Sequence, residues 1–313
     1  MQAFWLIAGV GALLDCPANF ATTGQVQPIR AAPARAQAVA NWQNAIKIAT
    51  AKSPDARMVV LDIGTGRLLA SSHLAESART VTTPGSTLKP LLLYFALASG
   101  RWNPERRVAC SRQLHIGLHQ LNCSHPAAQP MNAGQALTWS CNSYFAELAG
   151  TLQPGELRRA FSARGLLAAT GFFPAESIAE FREPRTREQA QLAALGVEGI
   201  RVTLPELAQA YRALSIAMAA HPESTAASVV RTGLADSASF GMAGAASLGG
   251  VPIAGKTGTA SAGSGGATHG WFVGLAPAQS PQVVVAVYVP AGNGSDAARI
   301  AAPLLAIAPL RQP

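Results

Sequence analysis

The chain has 313 residues, 49% of them hydrophobic and only 13% charged, with a net charge of +8. That composition excludes a disordered tail protein, which combines low hydrophobicity with dense charge, and four cysteines are too few for a disulfide-built miniprotein. Lysine occurs only at Lys47, Lys52, Lys89 and Lys256, and the arginines are scattered, with adjacent pairs only at Arg106–Arg107 and Arg158–Arg159. No basic run is interleaved with aromatics, so nucleic-acid binding is not expected; a mildly positive surface suits an anionic polymer instead.

The apolar run Ala3–Leu14 has the length of the hydrophobic part of an export signal, with small-residue cleavage points near Ala18 and Ala21. It lacks a basic residue ahead of it, and Asp15 before Cys16 argues against lipoprotein attachment. Residues 1–21 are read as an export signal and the product as periplasmic or on the outer membrane face; an uncleaved apolar helix is the alternative. No apolar run reaches the roughly 18 residues of a membrane span. Residues 22–54 form a linker and then an amphipathic helix over 37–52, carrying Val39, Trp42 and Ile46. Met58–Ile63, a turn at Gly64–Gly66 and Arg67–Ala70 predict a hairpin.

A loop at Thr83–Gly85 leads to Ser86 and a buried helix over Leu88–Ala98. Residues 100–131 have no regular pattern. Helical spacing returns over 132–149, 155–163, 187–195, 204–219 and 234–246. Val251–Ala260, His269–Leu275 and Gln282–Val289 predict three strands, and a helix over Asp296–Ile307 closes the chain. Strands at both ends and helices between them imply an α+β fold: an antiparallel sheet of about five strands flanked by helices, with a helical subdomain.

Three short motifs carry the chemistry. Ser86-Thr87-Leu88-Lys89 stands at the start of a helix, where residues three apart share a face. Lys89 can serve as the base a serine nucleophile needs, provided burial lowers its pKa. Ser140-Cys141-Asn142 is the second. Positions two apart diverge on a helix, so a shared site requires a break between a helix ending near Trp139 and one starting near Ser143. Lys256-Thr257-Gly258-Thr259 is the third, inside an apolar strand. Strand parity puts Thr257 and Thr259 on one face, as a carboxylate grip, and Lys256 and Gly258 on the other. A lysine there is costly unless paired or functional, and Gly258 allows a close backbone approach.

Together and in this order these motifs resemble the S-x-x-K, S-x-N, K-T-G set of the penicillin-binding serine acyltransferases. The resemblance to penicillin-binding transpeptidase domains covers about residues 55–310. It extends to Ala194-Leu195-Gly196, Val202-Thr203-Leu204-Pro205 and Trp271-Phe272-Val273-Gly274. It implies that Ser86 is the nucleophile, Lys89 its base, and Ser140, bridged to Lys256, a proton relay. Asn142 would hold the substrate amide, Thr257, Gly258 and Thr259 would bind substrate, and the N–H groups of Ser86 and Thr259 would form the oxyanion hole. It further implies D-alanyl-D-alanine stem peptides and β-lactams as ligands, no metal or cofactor, and a stand-alone transpeptidase or carboxypeptidase, or one part of a wall-synthesis complex. The alternatives are a serine β-lactamase and a non-catalytic penicillin or wall-peptide sensor. Glu176, Glu180 and Glu183 lie in the right region for a deacylating glutamate but lack its sequence context.

Cys110, His115, His119, Cys123 and His125 crowd one short segment. A Cys110–Cys123 disulfide is the simplest expectation for an exported protein; free thiols and a metal site through His115 and His119 are the alternatives. Cys141 reads as a small buried filler, and His269 as packing behind the site.

Overall fold

The computed structural model describes residues 31–126, 129–247, 250–261 and 266–307. The expected export signal and most of the linker lie outside them. Five antiparallel strands form the central sheet: β1 (Arg57–Asp62), β2 (Leu68–Ser72), β7 (Ala254–Ser261), β8 (Thr268–Ala276) and β9 (Val283–Val289), in the order β2-β1-β9-β8-β7. β1 and β2 are the predicted hairpin. β7 begins three residues later than expected, after Pro252, whose missing N–H cannot join a ladder.

Both faces of the sheet are covered, which explains the unbroken apolar run of β9. Met58, Val60, Phe272, Val285 and Val287 pack on α1 (Ala31–Lys52) and α10 (Gly294–Leu305). The alternate residues Val59, Leu61, Val273, Val284 and Ala286 pack on the helical side. Trp42 Nε1 donates to the Leu304 carbonyl at 3.1 Å, joining the first helix to the last.

The helical subdomain is built from α3 (Lys89–Ala98), α4 (Ala133–Thr138), α5 (Asn142–Ala149), α6 (Glu156–Ser162), α7 (Arg187–Ala194), α8 (Leu204–Ala220) and α9 (Thr225–Ser239). Thr203 and Glu206 cap α8 reciprocally. α9 starts well before its expected position, at an Ser224 cap. Gly233, which reads as a boundary in sequence, lies inside it, and a Cβ there would come within 3.0 Å of Leu137 on α4.

Three further features have no expectation in the sequence. They are α2 (Leu74–Arg79), the small hairpin of β3 (Gln113–Ile116) and β4 (His119–Asn122), and the two-residue pair β5 (Glu180–Phe181) and β6 (Ile200–Arg201). No helix of the described residues is long and apolar enough to cross a membrane.

Candidate active site

Gly85–Leu88 is a single 3-10 turn that runs into α3, and the Lys89 N–H donates to the Ser86 carbonyl. The turn therefore holds Ser86 and Lys89 on one side, as their spacing predicts. Gly85 has φ +54°, and a Cβ on it would lie 2.7 Å from the Thr259 carbonyl oxygen. A Cβ on Gly258 would lie 2.6 Å from the Pro84 carbonyl oxygen. The Gly85–Leu88 turn and β7 thus meet backbone to backbone, a contact only glycine permits on either side. Tyr211 of α8 supports the turn by donating its hydroxyl to the Thr87 carbonyl at 2.7 Å. Behind it, the Thr83 carbonyl accepts from Trp271 Nε1 at 3.0 Å and His269 Nε2 at 2.8 Å. Burial pushes the His269 imidazole below its ordinary pKa, against the bond to Thr83. His269 is a packing anchor behind the site, as expected.

The second motif breaks the helix where the spacing predicts. α4 stops at Thr138, α5 begins at Asn142, and Ser140 between them has φ +55°. A left-handed residue other than glycine costs roughly 1–2 kcal/mol, and the strain turns Ser140 and Asn142 toward one point. Lys89 Nζ donates to the Ser140 carbonyl at 2.7 Å, to Ser140 Oγ at 3.2 Å and to Asn142 Oδ1 at 2.7 Å. Lys256 Nζ arrives from β7 and donates to Ser140 Oγ at 2.8 Å and to the Thr257 carbonyl at 2.9 Å.

Both lysines are fully buried. Burial lowers the Lys89 pKa to about 8, opposed by the thiols of Cys123, Cys141 and Cys110. Burial, and then the Lys89 charge, drives Lys256 well below its ordinary value. Two amines sharing one hydroxyl, with depressed proton affinities, can pass a proton through it.

Ser86, Ser140, Asn142, Thr257, Gly258 and Thr259 all open onto one cleft of roughly 290 Å³. Lys89 and Lys256 lie beneath its floor, bonded to Ser140. Thr257 and Thr259 face Gly294 at the start of α10: a Gly294 Cβ would meet Thr257 Cβ at 2.7 Å, and Thr259 Oγ1 accepts from Gly294 N–H at 3.0 Å. That acceptance leaves the Thr259 hydroxyl proton free to donate to a ligand. β7 pairs with β8 alone, so its outer side is open to an extended peptide.

The remaining walls escaped sequence reasoning. β4 and the residues after it, Gln120–Ser124, form one wall, and Trp139 and Met242 another. Asn142 Nδ2 donates to the Asn122 carbonyl at 3.2 Å, tying the first wall to the second motif. An aromatic residue directly before Ser140, half-buried against Phe240, is the one signal that could have revealed Trp139. Among the described residues no carboxylate lines the cleft. Glu176 is bonded to Thr170 and Gly171, Glu180 to Arg201, and Glu183 to Arg158.

The cysteine region differs from expectation. Cys110, Cys123 and Cys141 are free thiols in this structure, which does not contain the expected Cys110–Cys123 disulfide. Their sulfurs and a ring nitrogen of His125 all lie within 4.8 Å of one another. Cys141 is fully buried, as expected, and is also a member of this cluster. His115 and His119 are not on a helical face; they sit on the β3–β4 hairpin, where His119 pairs with Glu198. Hydrogen bonding from Cys141 pulls the Cys123 thiol down to about 4, against burial, and the same contact pushes Cys141 up.

A family model for the penicillin-binding protein transpeptidase domain matches residues 56–306. Among solved structures, the chain is similar to a peptidoglycan glycosyltransferase from Burkholderia ambifaria, at 23% identity and a TM-score of 0.73, over 87% of this chain and 93% of that one. It is also similar to the transpeptidase domain of penicillin-binding protein 3 from Burkholderia pseudomallei, in its apo state, at 24% identity and a TM-score of 0.75, over 87% of this chain and 92% of that one. At such identities the structural likeness speaks for the fold, a five-stranded antiparallel sheet with helices on both faces. The family match spans most of the sequence and takes in all three motifs, so the chain belongs to the penicillin-binding protein transpeptidase family.

Proposed function

We propose that the protein acylates itself on Ser86 with D-alanyl-D-alanine stem peptides of peptidoglycan, acting as a DD-transpeptidase or DD-carboxypeptidase, and that β-lactams trap it covalently. One observation carries the reading: two buried amines, Lys89 and Lys256, share the Ser140 hydroxyl beneath the cleft onto which Ser86 opens. Such an arrangement has no structural purpose that a nonpolar packing of the same volume would not serve better.

The chemistry follows from the parts. Ser86 Oγ attacks the carbonyl of the terminal peptide bond and yields its proton to neutral Lys89. A pKa near 8 keeps part of Lys89 unprotonated at neutral pH. The oxyanion meets the N–H groups of Ser86 and Thr259, donors worth about 3–4 kcal/mol of barrier each. The C–N bond then breaks, and the departing D-alanine nitrogen takes a proton from Ser140 Oγ, which the two lysines restore. Thr257 and Thr259 hold the terminal carboxylate, and Asn142 the substrate amide. The acyl group passes to an amine of a neighbouring stem peptide, giving a cross-link, or to water, giving a trimmed peptide. Among the described residues the cleft presents no carboxylate to activate water, which favours a long-lived penicilloyl adduct over β-lactamase turnover. The substrate lies outside the cytoplasmic membrane, so the reading carries export with it, and a wall-synthesis complex is the natural setting.

The test is labelling by a fluorescent penicillin, followed over time, for the wild type and Ser86→Ala. Persistent label on the wild type and none on the variant is expected. An unlabelled wild type, or equal labelling of both, overturns the reading; label that clears within seconds replaces it with a β-lactamase.

A further inference from the structure

We propose that Cys110, Cys123, His125 and Cys141 form a closed Cys3His site for one zinc ion, which clamps the β3–β4 hairpin to the second catalytic motif. Four observations carry this. The four ligand atoms already lie within 4.8 Å of one another. A regular tetrahedron with zinc–sulfur bonds of about 2.3 Å has edges of about 3.8 Å, so the longest separation needs to shorten by about 1 Å.

Two of the three sulfurs also receive a backbone N–H, a bond that favours a thiolate. Arg112 N–H donates to Cys110 Sγ at 3.4 Å and Asn142 N–H to Cys123 Sγ at 3.2 Å.

The histidine is set in the ligating tautomer. His125 Nδ1 lies 2.7 Å from the Pro126 carbonyl, which can only accept, and 3.5 Å from Arg112 Nη1, which can only donate; the much shorter contact assigns the proton to Nδ1. Nε2 keeps its lone pair and points at Cys110 Sγ, 3.4 Å away. An outer hydrogen bond that fixes the ring in this way is what metal-bound histidines use. The Arg112 guanidinium, bonded to the His125 carbonyl, holds the same loop.

Finally, the hairpin is short and held by few contacts: the buried Ile116, the His119–Glu198 pair and the Asn142 bond to the Asn122 carbonyl. β3 and β4 are four residues each, mostly half-buried or exposed, and Leu118 at the tip is fully exposed. Cys110 precedes the hairpin, Cys123 and His125 follow it, and Cys141 belongs to the loop that carries Ser140 and Asn142. Three sulfurs and a nitrogen select zinc over oxygen-seeking cations. Four protein ligands leave no open position, so the ion holds structure and takes no part in acyl transfer. Binding replaces the remaining thiol protons, which pass to solvent, with no change of oxidation state.

The test begins with metal analysis of the full chain, purified under reducing conditions without chelator; about one zinc per chain is expected. Replacement by Co(II) should give the intense visible bands and thiolate charge-transfer absorption of a tetrahedral sulfur-rich centre. Cys123→Ser and His125→Gln should weaken or alter those bands. Chelation should lower the melting midpoint and speed hydrogen exchange over residues 110–125. Substoichiometric zinc together with no cobalt–thiolate absorption in the wild type overturns the site, as does a Cys110–Cys123 crosslink in peptide maps of the non-reduced protein. Metal loss that leaves melting and exchange unchanged overturns the clamp. None of these readouts depends on acyl transfer, so the site stands or falls apart from the function proposed above.

Discussion

Gly258→Ala tests whether the cleft depends on the contact between β7 and the nucleophile turn. The added methyl would lie 2.6 Å from the Pro84 carbonyl oxygen and 2.8 Å from Thr87 Cγ2, where ordinary contact starts at 3.4 Å. Most of the obstacle is backbone, so the turn must retreat by about 0.8 Å, the difference between 3.4 and 2.6 Å. Overpacking of this kind costs about 1–3 kcal/mol of stability. A misplacement near 1 Å at the reacting atoms costs about 100-fold in rate. Acylation by a fluorescent penicillin should therefore slow by about two orders of magnitude, in a protein that still unfolds cooperatively in urea at a reduced midpoint. Gly64→Ala is the control, since its methyl would meet nothing nearer than 3.5 Å. A Gly258→Ala protein that acylates within about threefold of the wild type would show that Ser86 is not positioned by this contact.

With neutral Lys89 as the proposed base and its pKa lowered by burial to about 8, the acylation rate should rise with pH and reach half its maximum near 8. The groups that face it are Lys256, the Ser140 hydroxyl, the Asn142 amide, the Phe145 ring and the thiols of Cys110, Cys123 and Cys141. Folding moves the same way: between about 8 and 10.5 the unfolded chain holds a proton that native Lys89 has shed, so stability climbs with pH there. A rate profile flat from about pH 6 to about pH 10 would remove Lys89 as the base. Lys256→Met takes a buried amine out of an apolar strand, so the urea midpoint should hold or rise, while acylation falls by about 100-fold or more. A variant that labels at the wild-type rate would exclude Lys256 from the relay.

The sheet was legible because β-branched runs bounded by Gly and Pro leave few choices, as in Met58–Ile63 and Val283–Val289. The site was legible because its residue types are locally out of place: a lysine in an apolar strand at Lys256, and two polar residues at Ser140 and Asn142 that no continuous helix could aim together. What escaped was tertiary. The β3–β4 hairpin is short and half-exposed, so it leaves no alternation to read. Gly233 suggests a helix end, but its small size serves the approach of α9 to Leu137. The cysteine cluster draws Cys141 from a different element than Cys110 and Cys123. Spacing along one segment therefore favoured a disulfide, and the shared neighbourhood of all three appeared only with the fold.

The outermost strand of the sheet has a bare rim, and such rims ordinarily let identical molecules zip together. Here the rim is obstructed partway along, where the Gly85–Leu88 turn that carries Ser86 sits against the Thr259 carbonyl. A broad intruder, such as the sheet of a second molecule, is stopped within a few residues. A single extended strand, the stem peptide of the proposed function, is thin enough to slip in and end beneath that loop. The crowding that fixes the Ser86 turn against β7 thereby doubles as protection against self-assembly.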